Sequence, residues 1–163
     1  MPTMPAPLRF SAQCALLGLS LALWPQASAQ DAAETGEPAP YAPATGDPWL
    51  DRHVLDINEY ATRHPRAFAD EVSRYYAVPR AYVEAMLQQP AWTPGDIFMA
   101  CAVAQRVKQP CRLAVREWSR DHSGGWAGVA ERLGLDPATK DHRQLRLDVE
   151  SSYRRWARPL REK

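Results

Sequence analysis

The stretch Trp92-Thr93-Pro94-Gly95-Asp96-Ile97-Phe98-Met99-Ala100-Cys101-Ala102-Val103-Ala104 decides the fold class. Thr93 is placed as a helix N-cap and Pro94 suits the first helical position. Asp96 sits where its carboxylate reaches back to the cap and favours the positive end of the helix dipole. From Ile97 to Ala104 the chain is apolar on every side. A helix of that kind is the buried centre of a bundle. Its alanines at 100, 102 and 104 let neighbouring helices approach closely.

Outward from this helix, prolines at 65, 79, 90, 94, 110, 137 and 159 divide the chain into segments of helical length. Between them the apolar residues recur at helical spacing, with no run of alternating β-branched residues. Asp47 caps a first helix opened by Pro48, with Trp49, Leu50, Val54, Ile57 and Ala61 on one face and His64-Pro65 at its end. Phe68, Val72, Tyr75 and Tyr76 stripe a second, over 66–76. A third opens at Pro79, buries Tyr82, Val83, Met86 and Leu87, and stops at Gln89-Pro90. Beyond the central helix, a fifth over 110–122 buries Leu113, Ala114 and Trp118 and sets Arg112, Arg116 and Arg120 outside. The sixth buries Trp126, Val129, Ala130 and Leu133 and ends at Gly134, a left-handed cap position. Thr139 starts the last, through Leu145, Leu147 and Val149 toward Trp156. The expectation is an all-α, single compact domain of about six or seven short helices around an apolar central helix.

Two segments before this domain read differently. Met1–Ala29 has Arg9 and no acid, an eleven-residue apolar run from Cys14 to Trp24, and a small-residue Ala27-Ser28-Ala29 end. That is the pattern of a signal peptide cleaved before Gln30, since a membrane span needs about 20 apolar residues. The expected destination is the periplasm of a Gram-negative bacterium, or the medium. Cys14 lies too early in the run to be a lipid attachment site. Residues 30–47, rich in Ala, Pro and Gly, carry four acids and no base. They read as a disordered acidic linker. The overall charge of +1 hides a domain over 48–163 carrying +4, with Arg154, Arg155, Arg158, Arg161 and Lys163 gathered at its end. So small an overall excess excludes polyanion binding driven by bulk charge. Export and the all-apolar fourth helix argue against nucleic acid, because a recognition helix presents polar side chains.

Once the leader is removed, Cys101 and Cys111 form an even pair in a compartment that permits disulfides. The alternative is two buried thiols; a redox-active pair lacks the Cys-X-X-Cys spacing.

Tyr75-Tyr76-Ala77-Val78-Pro79, Trp92-Thr93-Pro94-Gly95-Asp96, Ala100-Cys101-Ala102, Pro110-Cys111, Gly125-Trp126 and Leu133-Gly134-Leu135 with Pro137 resemble the motifs of a group of exported, helical, functionally uncharacterised proteobacterial proteins. The similarity spans about 68–146, and the cysteine pair beside W-T-P-G-D is its most specific part. Where those proteins carry a Pro-Gly-Ser turn and a Phe-His pair, this chain has Pro137-Ala138-Thr139 and His142-Arg143. The resemblance implies export, helices and the disulfide, and no activity.

Chemistry-bearing residues are sparse. His53, His64, His122 and His142 have no metal-ligand spacing, so neither metal nor cofactor is expected. Asp121-His122 are neighbours that point apart on a helix. Gly124-Gly125 before a helix is an anion-site candidate set against a plain turn. Glu59, Glu71 and Glu84 are the candidate acids of a peptidoglycan-active glycosidase, each set against a solvent-face reading. Trp92 and Trp126 are candidates to line a groove for a peptide or glycan. The basic C-terminal residues are candidates for contact with an anionic membrane surface, set against a solvated helix end. The favoured reading is an exported binding module whose partner is an envelope protein or glycan.

Overall fold

The structure, a computed structural model, describes residues 41–136 and 138–160. The signal-peptide pattern, residues 30–40, Pro137, Arg161 and Lys163 lie outside them. Within the described residues the chain is all-helical: α1 Pro48–Arg63, α2 Pro65–Tyr75, α3 Arg80–Leu87, α4 Pro94–Arg106, α5 Cys111–Arg120, α6 Gly125–Arg132 and α7 Lys140–Arg155. None of these is long and apolar enough to cross a membrane.

The apolar stretch behaves as its composition requires. Every residue of α4 from Gly95 to Ala104 is buried, and α1, α3, α5 and α7 pack around it. The Thr93 hydroxyl accepts from the Asp96 amide and the Asp96 carboxylate accepts from the Thr93 amide, completing a capping box. Gly95 is required by close approach: a Cβ there would lie 2.6 Å from Val54 Cγ1 and 2.8 Å from the Val54 carbonyl of α1. The Gly95 amide donates to Asn58 Oδ1 at 2.6 Å. The disulfide joins Cys101 of α4 to Cys111 at the first turn of α5.

Four helices end in one device. The residue after the cap is left-handed at Ala77, Lys108, Gly134 and Ala157. The next amide reaches back to an orphan carbonyl in each case: Val78 to Ser73, Gln109 to Ala104, Leu135 to Ala130 and Arg158 to Tyr153. These are Schellman caps. Three use a non-glycine residue and are followed two positions later by Pro79, Pro110 or Pro159, which prevents the helix from continuing.

The expected linker boundary is corrected at its C-terminal end. Residues 41–47 are held on the helices because their backbone and polar atoms find partners there. The Pro43 and Ala44 carbonyls accept the amides of Trp126 and Ala127, Tyr41 donates to Asp96, and Thr45 bonds Asp51. Composition alone missed this, since the partners are supplied by α1, α4 and α6.

Candidate functional site

Three buried carboxylates organise the interior, and they settle where most of the sequence candidates fall. Asp96, 1% exposed, accepts from Trp126 Nε1 at 2.8 Å and from the Tyr41 hydroxyl at 2.6 Å. Trp126 is itself 1% exposed and stacks on Trp118 with centroids 4.4 Å apart. The expectation that Trp126 lines a groove is therefore corrected: its ring fills the core and its N–H is spent on Asp96. Trp92 is half-buried against Trp118.

Glu71 departs from the solvent-face reading. It is 5% exposed and accepts from Ser152 Oγ at 2.7 Å and from the Arg155 guanidinium through Nε at 2.9 Å. Asp56, 3% exposed, accepts from the Tyr153 hydroxyl at 2.5 Å and from Arg158 through Nε and Nη2, one edge of the guanidinium, at 2.7 and 2.6 Å. Burial, with the Asp56 charge beside it, pushes the Tyr153 phenol far up, so the phenol stays a donor. Fork-shaped pairing of this kind is the strong form of an ion pair. The two pairs clamp the end of α7 onto α1 and α2. Arg155 also lies 3.6 Å above the Tyr75 ring.

The basic end is thus only partly available to a surface. Arg155 and Arg158 are committed to Glu71 and Asp56, while Arg154 is exposed, with Ser151 and Glu150 beside it. Glu59 and Glu84 are exposed and pair with Arg63 and Arg80. A polar trough of about 410 Å³ beside Glu71 is walled by Asp70, Arg74, Tyr75, Arg155 and Trp156. Its acids are already paired, Asp70 with Arg80 and Glu71 with Arg155.

The remaining candidates also have local duties. The Asp121 carboxylate takes the Ser123 amide and hydroxyl, which hold its pKa down, and His122 stacks on Trp118. The first amides of α6 after Gly125 go to Pro43 and Ala44 rather than to an anion.

A more spacious concave surface than the trough beside Glu71 lies elsewhere among the described residues. Two of the proline-terminated caps, Ala77-Val78-Pro79 and Lys108-Gln109-Pro110, lie side by side. Between them opens a groove of about 680 Å³ lined by Tyr76, Val78, Pro79, Tyr82, Pro110 and Cys111, with Gln109 and Arg112 at its edge. The left-handed turns make it possible, because each reverses the chain within two residues and stacks the following helix beside the one just ended. The disulfide then fixes the start of α5 against α4. Tyr76 packs edge-on against Phe98 of α4. Burial raises the phenols of Tyr76 and Tyr82, the latter against a lowering by Arg112, so both remain protonated donors.

Such a lining suits an extended apolar segment, with few polar groups to fix its orientation. Sequence reading did not find it. The available cue was the pair of residues Val78-Pro79 and Gln109-Pro110 recurring after helix ends, with the cysteine pair beside the second. Against known protein families, curated proteins and solved structures, the chain finds no match.

Proposed function

We propose that this protein is an exported binding module of the bacterial cell envelope, and that its partner occupies the groove between the α2–α3 and α4–α5 turns. The observation that carries this reading is the groove itself: about 680 Å³, apolar, and lined by residues of two rigid turns. Apolar pockets with a few convergent polar groups are the usual form of a binding site. Export is supported by the pattern of Met1–Ala29 and by the cysteine pair, whose bridge suits an oxidising compartment.

The test is site-specific photocrosslinking in living cells. A benzophenone side chain placed at Tyr82 captures a discrete partner, and the same group at Glu131, exposed on α6 and outside the groove, does not. Equal capture from both positions, or none from Tyr82, refutes the reading. Localisation is checked separately by fractionation, with cleavage expected between Ala29 and Gln30.

A further inference from the structure

The groove has one electrically unbalanced edge. Arg112 lies on its rim, Lys108 belongs to the turn that forms it, and Arg116 follows Arg112 one helical turn later on the same face. All three are exposed, and among the described residues no acid is paired with any of them. This sets them apart from most of the other arginines of the fold. Arg120 and Arg132 share Glu117, Arg146 holds Asp47, and Arg155 and Arg158 hold buried carboxylates.

We infer that the occupant of the groove is an extended peptide segment of an envelope protein that carries carboxylates, its apolar residues between Tyr82 and Pro110 and its acids along Lys108, Arg112 and Arg116. This rests on the groove being the binding site, and adds the chemistry of what enters it. An apolar trough with a basic rim matches an acidic peptide, since rim charges select the partner by sign and steer its approach. A lipid surface fits less well. Among the described residues the large apolar side chains that project are Tyr41, Leu55, Tyr75, Leu147 and Leu160, and none of them lines the groove.

The decisive experiment measures fluorescence anisotropy of the purified full chain with three labelled peptides, Ala-Pro-Glu-Ala-Pro-Glu-Ala and its Gln and Lys counterparts. The Glu peptide binds tightest and the Lys peptide weakest, by about tenfold, and 0.5 M salt narrows the gap. Arg112→Glu, a change at an exposed position, lowers the rim charge from +3 to +1 and narrows the gap between the Glu and Lys peptides, and Tyr82→Ala weakens all three. Equal affinity for the three peptides, or binding of none, overturns the inference. So does binding to vesicles of anionic phosphatidylglycerol that Arg112→Glu abolishes while the peptides stay unbound. Photocrosslinking at Tyr82 reports on the groove independently, so a captured partner with no acidic segment sinks this inference and leaves the binding reading standing.

Discussion

Replacing Asp96 by alanine tests whether the centre of the fold is organised by one carboxylate. The substitution removes the capping-box partner of Thr93, worth about 1 kcal/mol. It also removes the acceptor for Trp126 Nε1 and Tyr41, two hydrogen bonds to a charged group at about 1.5–3 kcal/mol each. The Tyr41 bond belongs at the low end, because Tyr41 is 37% exposed and its hydroxyl can turn to water. Trp126 has no such recourse, being 1% exposed. The expected loss is about 4 kcal/mol, a large share of the ~5–15 kcal/mol that holds a domain together. Asp96→Asn keeps an acceptor for Trp126 and Tyr41 and loses the one facing Thr93, so its cost is about 1–2 kcal/mol. Urea unfolding followed by tryptophan fluorescence measures both. A double-mutant cycle supplies the sharper check: Trp126→Phe costs much less in the Asp96→Ala background than alone, because the bond is already gone. Additive costs, or an Asp96→Ala loss under about 1 kcal/mol, refute the reasoning.

Ala157→Gly relieves the left-handed strain at the end of α7, where φ is +50°, and is expected to raise stability by about 0.5–1 kcal/mol after the added chain entropy is set against it; a lower unfolding midpoint would sink the account of the caps. Reducing the Cys101–Cys111 bridge costs about 3 kcal/mol on the chain-entropy model, read as the difference between urea midpoints with and without dithiothreitol, and identical midpoints would mean two thiols rather than a bridge. Burial raises the Asp148 carboxyl above its ordinary value despite the lowering by Arg106 and Gln144. The folded chain therefore holds that proton while the unfolded chain releases it. Stability is lost as pH rises from the ordinary carboxylate range through the raised folded value. Asp148→Asn is expected to be the more stable protein at pH 7, with the gain fading below about pH 4; thermal midpoints from pH 3 to 8 decide it, and a gain that does not vary with pH contradicts the sign.

Helix starts were legible because their signals are local: Asp47-Pro48 and Thr93-Pro94 state the cap and the first turn within a few residues. Helix ends were harder. Only Gly134 announces its left-handed cap by residue type, whereas Ala77, Lys108 and Ala157 adopt the same conformation with side chains that pay for it. The clue lies two residues on, in the proline that bars continuation. The buried acids were hidden for a different reason. Asp56 and Glu71 look like solvent-face charges on α1 and α2, since the arginines that neutralise them come 102 and 84 residues later. A basic C-terminal cluster and two acids bordering apolar stripes are each unremarkable in sequence. Their pairing needs α7 to be laid across α1 and α2 first. The segment 41–47 escaped notice similarly, because its carbonyls are satisfied by amides of α6.

The motifs most specific to this sequence divide along the same line between packing and binding. In W-T-P-G-D each residue after the tryptophan has a structural cause: a cap, a first-turn proline, a glycine pressed on Val54, and a carboxylate reaching Tyr41 and Trp126. In Gly125-Trp126 the glycine adopts φ +60°, and a Cβ on it would stand 2.4 Å from the Ala44 Cβ. The Trp126 indole completes the Asp96 contact, so the two motifs are halves of one buried junction. What these two motifs build is the junction, not a ligand site. The groove is built otherwise. Its floor uses Tyr76, Val78, Pro79, Pro110 and Cys111, which the turns and the bridge require, and Tyr82 packs partly against the core, but Gln109 and Arg112 at its edge are exposed and have no part in it. A chain could keep the junction, the caps and the bridge while changing those edge residues, and it would keep this fold and select a different occupant.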